Sequence, residues 1–370
     1  MKSKIVVIKD EENDFYSDED LFKISSWGAD LSFRELIQRY QDNELVKPEL
    51  QRKYVWDRTE ASRFIDSLLL GLPVPSIFLA KTINEKLLIV DGYQRIMTVY
   101  DYVRGIFGGD GKIFKLSKSK KINKKWSGRA FTELTDTEQR KIRNTTIHAI
   151  IFLQEHPAGS DTSLYQVFER INTSGRTLMP QEIRNCIYQG SLNKLLFELN
   201  KHENWRTLFG SKEEDQRMRD IEFILRFFAL NSTEFEALTQ DNISLKKFLN
   251  QYMGEKQNLS DEQIDSYRER FIKSIDFILL NIGPNAFNNM SGTIPGKFSP
   301  NFSPTIFDSI TIATDQLMSK KYKFKLDEIQ NNRNRLLHDE EYKFAITKET
   351  MRKEAIQKRI KKVKRLLYNA

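Results

Sequence analysis

The sequence LLIVDGYQRIMT, residues 87–98, carries the strongest structural signal in the chain. Its apolar first half predicts a short buried strand, and the Asp91-Gly92 pair supplies the backbone freedom that a tight turn requires. Gln94 and Arg95 then begin a helix, whose first turn offers unpaired N–H groups and the positive end of the helix dipole. Such a corner suits a phosphate bound by Arg95. The alternative is an ordinary strand-turn-helix corner in which Arg95 makes a surface ion pair.

Signals on both sides of this corner predict an α/β arrangement. Asp57-Arg58-Thr59-Glu60 is a capping box, and the apolar stripe that follows it predicts a helix ending at Gly71. Residues 77–80 predict a strand that forms a hairpin with residues 87–90. Residues 147–153 (IHAIIFL) predict a third buried strand.

The periodicity becomes helical from about residue 160 onward. Helices are predicted at 191–201, 214–230, 243–253, 261–281, 304–318 and 350–368. The expected fold class is therefore α+β, with an α/β domain followed by an α-helical domain. We expect a lead-in at residues 1–30, the α/β domain at 31–155 and the helical domain at 156–370.

Composition narrows the class of protein. The chain has 370 residues, of which 39% are hydrophobic and 30% charged, as in soluble globular proteins. No apolar run reaches the length of about 18 residues that a transmembrane helix needs, so no membrane partner is expected. The apolar run at the N-terminus is too short for a signal peptide. The single cysteine, Cys186, excludes an internal disulfide framework, and a cytoplasmic location is the expectation.

The net charge of +8 is concentrated in two segments. Residues 111–130 contain eight Lys or Arg and no acid, and residues 351–370 contain eight Lys or Arg and one Glu. Two basic patches on an otherwise acidic chain predict contact with DNA or another polyanion, and the alternative is a pair of solvated surfaces. The predicted contacts are Lys118, Lys120, Lys121, Lys124 and Lys125 in an exposed loop, and Lys358, Arg359 and Lys362 on the outward face of the last helix.

Polar side chains gather at three element boundaries. They are Gln51-Arg52 with Tyr54 and Trp56, then residues 91–95, and finally residues 168–175 followed by Glu182, Arg184 and Asn185. Each cluster provides an arginine together with amide or carboxylate groups. Arginine suits bidentate phosphate binding, and a carboxylate suits a metal ion or an activated water. We therefore expect the three clusters to converge on one cleft.

Four segments in order resemble a known family. They are PELQRKYVW (48–56), GLPVPSIFL (71–79), DGYQRIMT (91–98) and FERINTSGRTLMPQEIRN (168–185). Together they resemble the N-terminal domain of GmrSD-type restriction enzymes, which has a ParB/sulfiredoxin-like fold and a signature usually written DGQQR. The resemblance covers residues from about 30 to 190.

The resemblance implies nucleotide chemistry, because family members bind and hydrolyse nucleoside triphosphates in defence against foreign DNA. It implies that Asp91 orients a divalent cation, Mg²⁺ being expected, or a water, and that Gln94 and Arg95 contact phosphate. It also implies that Phe168 supports the site from the core. The implied nucleotide-binding residues are Gln51, Arg52, Gly92, Tyr93, Asn172 and Arg184.

Two departures from the family pattern affect these expectations. Tyr93 replaces the first glutamine of the signature, which leaves both a hydrolase and a nucleotide sensor open. Two-domain relatives carry a C-terminal His-Me finger nuclease, which requires a histidine base and metal ligands. The four histidines of this chain do not form such a motif. We therefore expect a separate nuclease or effector subunit as partner.

A further C-terminal pattern has a second interpretation. Residues 333–338, RNRLLH, match the Arg-Asn-three residues-His pattern of HEPN-type ribonucleases, and we expect Arg333 and His338 on one helix face. The alternative is a charged helix end. The leading hypothesis for the whole chain is an NTP-hydrolysing component of a prokaryotic restriction or anti-phage system that gates DNA engagement or a partner nuclease. The alternative is a non-enzymatic DNA-binding or adaptor module.

Overall fold

The computed structural model describes residues 5–12, 14, 24–46, 56–82, 85–154, 162–171, 179–292 and 296–370. It divides the chain into two compact units. The sheet unit comprises Asp20–Leu178 and Asn185–Ile187, and the helical unit comprises Met1–Glu19, Met179–Arg184 and Tyr188–Ala370. A mixed sheet followed by a helical region confirms the α+β class.

The described helices, in chain order, are α1 Lys9–Glu12, α2 Phe33–Gln41, α3 Arg58–Leu70, α4 Tyr93–Arg104, α5 Asp136–Asn144, α6 Thr162–Ile171, α7 Pro180–Ile187, α8 Ser191–Asn200, α9 Glu203–Phe209, α10 Arg219–Ala229, α11 Thr233–Ala237, α12 Leu245–Glu255, α13 Asp261–Asn281, α14 Pro304–Ser319, α15 Ile329–His338, α16 Glu340–Thr347 and α17 Lys353–Lys362. A 3₁₀ turn at Phe131–Glu133 and a π-helical turn at Val363–Leu367 complete the set. Hence the predicted last helix ends earlier, at Lys362, and continues only as the π turn.

The sheet unit contains one five-stranded sheet. Its strands are β1 Ile24–Ser32, β2 Leu45–Val46, β3 Ile77–Lys81, β4 Leu87–Asp91 and β5 Thr146–Gln154. Their spatial order is β1-β5-β3-β4-β2. β3 and β4 form the predicted antiparallel hairpin, while β3 runs parallel to β5, and β1 runs antiparallel to β5. The three predicted strands are thus confirmed, and β3 lies at the centre of the sheet between β5 and β4.

Helix α3 begins and ends at the predicted signals. The Asp57 carboxylate accepts from the Glu60 N–H at 2.8 Å, and the Glu60 carboxylate accepts from the Asp57 N–H at 2.9 Å. Gly71 ends the helix in the left-handed region, with φ 81°. Ile65 and Leu68 are fully buried in the core of the sheet unit. A cap of this kind contributes about 1 kcal/mol. The capping box fixes where the helix starts, and Gly71 fixes where it ends.

The predicted lead-in at residues 1–30 is corrected by the structure. Strand β1 begins at Ile24 and pairs with β5 along its whole length. Only Leu31 of this strand is buried, so the apolar alternation that would reveal a strand is missing from its sequence. The other described residues of the predicted lead-in, 5–12 and 14, belong to the helical unit and are called here the N-terminal segment.

The N-terminal segment attaches to the helical unit through acidic side chains. Glu11 accepts a bidentate pair of hydrogen bonds from Arg226, at 2.7 and 2.9 Å. Arg226 also pairs with Asp308 at 2.5 Å, and Arg359 pairs with the same carboxylate at 3.1 Å. Asp10 accepts from the Thr350 N–H at 3.0 Å. Because both arginines and Asp308 are buried, Glu11 balances the charge of an internal cluster.

The helical unit packs around aromatic side chains. Trp205 is fully buried, and its ring lies 5.4 to 6.1 Å from the rings of four phenylalanines, centroid to centroid. The loop predicted at 282–303 contains a short hairpin, β6 Asn288–Met290 and β7 Phe298–Phe302. Helices α13 and α14 match the predicted 261–281 and 304–318. In the described part of the chain, no helix is long and apolar enough to cross a membrane.

Candidate functional site

The corner between β4 and α4 is built on Gly92. This residue has φ 100°, in the left-handed region that non-glycine residues rarely adopt. A Cβ added there would lie 2.2 Å from Cγ2 of Ile77, which is less than any van der Waals contact. Because Gly92 is also the N-cap, no side chain caps the first turn of α4. The corner therefore presents the start of a twelve-residue helix directly behind Asp91.

Arg95 holds this corner to the chain segment that leads into β3. Its Nη1 donates to the carbonyl oxygens of Pro75 and Ser76, both at 2.7 Å. Its Nη2 donates to Oδ2 of Asp91 in a short ion pair. The Arg95 side chain is only 14% exposed, whereas that of Asp91 is 41% exposed. The structure thus contains the ion pair of the alternative interpretation, and phosphate contact by Arg95 stays a prediction. Arg95 fixes the orientation of a carboxylate that solvent can reach.

Gln94 links the corner to the start of α3. Its Oε1 accepts from the backbone N–H of Trp56 at 3.4 Å, and the Trp56 ring packs edge-on against Phe64, with centroids 5.6 Å apart. Phe64 in turn contacts the buried Phe33. The described chain resumes at Trp56, so this contact joins the second polar cluster to the end of the first.

Tyr93 packs against the core of the sheet unit. Burial is the main cause that raises the pKa of its phenol to about 12, with smaller contributions from Tyr40 and Asp101. The phenol is therefore neutral at physiological pH. A half-buried ring at this position adds apolar contact that the glutamine of the DGQQR signature would not supply.

Residues 33–189 match the family model described as GmrSD restriction endonuclease, N-terminal domain. This region of the chain is therefore similar to a GmrSD N-terminal domain. The similarity connects the protein with restriction systems. Searches of curated proteins and of solved structures found no significant match.

The region that matches the GmrSD model includes some predicted site residues that the structure does not describe. Gln51, Arg52 and Asn172 lie outside the described residues, as does Tyr54. Phe168 is among the described residues and is fully buried, as expected of a residue that supports the site from the core. The predicted convergence of three clusters therefore stays a prediction, while Asp91, Gln94 and Arg95 are brought together on one corner.

Arg184 has a structural environment of its own in the helical unit. It is 1% exposed, and its guanidinium donates to the side chains of Gln181 at 2.7 Å, Asn250 at 3.1 Å and Glu222 at 2.5 Å. Each guanidinium nitrogen therefore has a protein acceptor. This network joins α7, α10 and α12, which favours a packing role for Arg184 over nucleotide contact.

The two predicted basic patches differ in the structure. In the first, Lys118, Lys120, Lys121, Lys124 and Lys125 are all exposed. In the second, Lys358 is exposed, but Arg359 and Lys362 are buried, which corrects their predicted outward orientation. Arg359 pairs with Asp308, and Lys362 pairs with Asp339 at 3.0 Å and Glu341 at 2.5 Å. In the last helix, Arg359 is therefore paired with a buried carboxylate, and Lys362 is paired with two partly exposed ones.

Arg333 and His338 do not share a helix face, so that prediction is wrong. Residues five apart on an α-helix point about 140° away from each other. Arg333 is buried over the ring of Phe298, 4.0 Å from its centroid, whereas His338 is exposed and contacts the Asn334 carbonyl. Burial also lowers the pKa of Arg333 to about 10. A ribonuclease that uses both side chains is incompatible with this arrangement.

The donor set at Asp91 fits one kind of metal binding. Among the described residues, no three His, Cys, Asp or Glu side chains come together as ligands of a metal ion. One half-exposed carboxylate whose ion pair uses Oδ2 is nevertheless compatible with Mg²⁺, which commonly binds through one or two carboxylates plus phosphate oxygens and water. Asp91 would hold such an ion together with a bound phosphate.

The connector before β3 lies in the segment GLPVPSIFL, but no residue of it was predicted to take part in the site. Its contribution is made by two backbone carbonyls, of Pro75 and Ser76, and not by side chains. The available signal was Pro73 and Pro75, which exclude a helix. Carbonyls in such an extended connector need external donors, and Arg95 is one.

Proposed function

We propose that this protein is the nucleotide-handling component of a restriction system and hydrolyses a nucleoside triphosphate at the Asp91–Arg95 corner. The observation that carries the proposal is an accessible carboxylate, Asp91, fixed by Arg95 beside the glycine-capped start of α4. A helix start of this kind attracts phosphate, and a fixed carboxylate can orient a metal ion or the attacking water. The match of residues 33–189 to the GmrSD N-terminal family model adds independent support.

The residues of the corner would divide the work. Asp91 would orient the hydrolytic water or the Mg²⁺ ion, and the ion would supply charge neutralisation at the phosphates. Arg95 would act mainly as a positioning residue, because its two terminal nitrogens already have protein acceptors. Gln94 would couple the site to the chain before α3 through Trp56. Nucleotide binding would in this way be sensed by the segment that carries Gln51 and Arg52.

DNA cleavage would be supplied by a separate nuclease subunit, whose access to DNA the nucleotide cycle controls. The described histidines already have structural partners that favour this division. His148 pairs with Asp30 at 2.8 Å, and His202 pairs with Asp276 at 2.6 Å. A histidine that serves as nuclease base would instead need to face a metal-bound phosphate.

The test is phosphate release from each common nucleoside triphosphate in the presence of Mg²⁺. Asp91→Asn keeps the shape of the side chain and removes its charge, so we expect turnover to fall at least about a hundredfold. Glu35→Gln is the matched control, because Glu35 is another partly exposed carboxylate paired four residues away, with Arg39 at 3.0 Å. Equal turnover by the wild type and Asp91→Asn would refute the proposal, as would a wild type that neither binds nor hydrolyses any nucleotide.

A nucleotide-sensing adaptor without hydrolysis is the second candidate function. The observation that favours it is the engagement of Arg95, which already contacts Asp91, Pro75 and Ser76. Tyr93, which packs inward in place of the signature glutamine, favours it too. Calorimetry distinguishes the two candidates, because a sensor binds nucleotide with Asp91-dependent affinity but releases no phosphate.

A further inference from the structure

The lysine loop, defined as residues 112–125, is a charged surface that has no role in the nucleotide chemistry proposed above. With its flanks it belongs to a 20-residue stretch that has eight Lys or Arg and no acid. Charged runs are often mobile and merely solvated. The structure of this loop argues against that interpretation, because its backbone is held in place from below.

Apolar side chains anchor the underside of the lysine loop. Phe114, Leu116 and Ile122 are buried, as is Trp126 immediately after the loop. All four belong to the hydrophobic core of the sheet unit. Apart from the exposed Ile113, the lysines and the apolar residues of the loop thus lie on opposite sides, and the core fixes the positions from which the lysines project.

Hydrogen bonds from α3 hold the backbone of the loop as well. Asp66 accepts from the Trp126 indole N–H and from the Asn123 backbone N–H, the latter at 3.2 Å. Ser62 Oγ accepts from the Ser117 N–H at 2.8 Å. Arg58 donates to the Ile113 carbonyl at 2.9 Å. A backbone held at three separate points, with the Trp126 side chain as a fourth anchor, presents its charges from fixed positions.

Four of the lysines keep their full positive charge available. Lys118, Lys120, Lys121 and Lys124 are exposed, and none pairs with a carboxylate of the described residues. Their neighbour Lys125 differs, because it pairs with Glu138 at 2.8 Å. The aliphatic chain of Lys118 also lies against Gly128, since a Cβ built on Gly128 would be 3.2 Å from Lys118 Cε.

The composition of the exposed face indicates which polyanion it fits. Proteins that bind single strands stack bases on exposed aromatic rings, but Phe114 and Trp126 are buried here. Lysine is a point charge that suits phosphate without reading base edges. A group of exposed lysines on a held backbone, without exposed aromatic rings beside them, therefore suits the phosphates of a duplex better than the bases of a single strand.

We propose that the lysine loop is a docking surface for the phosphodiester backbone of duplex DNA, which it contacts without reading sequence. The surface would bring the sheet unit onto DNA of any sequence, so that recognition of a particular target lies elsewhere. The proposal concerns binding in the absence of nucleotide and stands whether or not the Asp91 corner hydrolyses anything.

The experiment measures binding of the full chain to a fluorescent duplex of about 25 base pairs as the NaCl concentration varies, with no nucleotide present. The test variant replaces Lys118, Lys120, Lys121 and Lys124 by glutamine. The matched control replaces four exposed lysines of the helical unit, Lys320, Lys321, Lys323 and Lys325, in the same way. A third variant carries arginine at the four loop positions. Circular dichroism verifies that all variants are folded.

We expect the loop variant to bind at least about tenfold more weakly near 100 mM NaCl, and the slope of log K against log salt to fall by up to about 3.6. The control should change less than about twofold, and the arginine variant should retain wild-type affinity. Duplex binding that is absent from the wild type, unchanged in the loop variant, or equally weakened in the control would overturn the proposal. Stronger binding of the wild type to single strands or to acidic lipid vesicles than to duplex would overturn it too.

Discussion

Arg95 occupies a motif position associated with phosphate, yet its hydrogen bonds are made to other groups of the protein. It binds two backbone carbonyls through Nη1 and one carboxylate through Nη2, an arrangement that suits the spread donors of a planar guanidinium. The capping pair Asp57 and Glu60 was predictable, because its two members are three residues apart and their bonds are local. The carbonyls that Arg95 binds lie 19 and 20 residues away and carry no side-chain signature. The motif alone could not show whether Arg95 positions Asp91 or binds phosphate.

The first prediction concerns Arg95→Lys. Lysine keeps the charge but cannot bridge Pro75, Ser76 and Asp91 together, so we expect the free energy of unfolding to fall by about 1–3 kcal/mol. Urea unfolding combined with hydrogen exchange of β3 and α4 measures the loss. Arg39→Lys is the control, because its partly exposed pair with Glu35 should contribute less than about 0.5 kcal/mol. Equal effects of the two substitutions would contradict a clamp at Arg95.

The second prediction concerns Gly92→Ala, and Gly105 provides its control. Both glycines have positive φ, at 100° and 87°, but a Cβ would strike Ile77 only at Gly92. Nothing lies within 4 Å of a Cβ built on Gly105. We expect Gly105→Ala to cost about 1 kcal/mol from backbone strain alone, and Gly92→Ala to cost about 2–4 kcal/mol. A thermal shift no larger for Gly92→Ala than for Gly105→Ala would show that the contact with Ile77 is loose.

Elements differ in how much of them the sequence reveals. Helix α3 and the β3–β4 hairpin have local caps, turns and apolar patterns, and all of these were predictable. Strand β1 was missed, because its pairing with β5 is made by the backbone and its side chains are mostly exposed. Helix α17 was predicted with an outward basic face, but Asp308, 51 residues before Arg359, turns that arginine inward. The periodicity of a helix shows which of its faces is apolar, but it does not show that a basic residue will pair with an acid far away in the sequence.

The third prediction follows from the junction between α5 and the lysine loop. A hydrogen bond from Lys125, followed by one from the Thr135 backbone N–H, lowers the pKa of Glu138 to about 2. Because this pKa lies below the ordinary value of about 4.5, the ionised carboxylate stabilises the folded state above pH 4.5. That contribution disappears as the pH falls toward 2.

Comparison of the wild type with Glu138→Gln between pH 7 and pH 3 tests this sign. The stability difference should be largest above about pH 5 and should shrink steadily below pH 4.5, as the wild-type carboxylate takes up its proton. Urea titrations at each pH give the difference. Asp136→Asn, in the same exposed first turn of α5, controls for general helix effects. A difference that does not vary with pH would show that Lys125 and Glu138 are not coupled.

The whole molecule is assembled from distant pieces of chain. The sheet unit follows the N-terminal segment in sequence, yet that segment belongs to the helical unit. Its Glu11 supplies a carboxylate to Arg226, which also binds Asp308. Composition suggested only an acidic lead-in, because the buried arginines that need this acid are more than 200 residues further on. Domain boundaries taken from sequence order therefore missed one contributor to the helical core.

The fourth prediction concerns Glu11→Gln. Removing this charge leaves two buried arginines facing one aspartate, so we expect the helical unit to lose about 2–4 kcal/mol. Hydrogen exchange should accelerate in α10 and α14, which carry Arg226 and Asp308, and stay unchanged in α3. Glu340→Gln, which removes an exposed partner of Lys343, should leave all three helices unchanged. Unaltered exchange in α10 would mean that the segment rests on the surface without contributing to stability.

The attachment of the N-terminal segment also has a consequence in time. Asp10 leaves the ribosome 340 residues ahead of Thr350, and Glu11 leaves 215 residues ahead of Arg226. At translation rates of about 5–20 residues per second, the earlier acid waits roughly 20–70 seconds for its partner. The sheet can pair while synthesis continues, but the charge-neutral centre of the helical unit closes only when the distal chain has emerged. During that interval the nascent protein carries acids near its start, and then arginines further along, that have not yet met the partners they have in the folded helical unit.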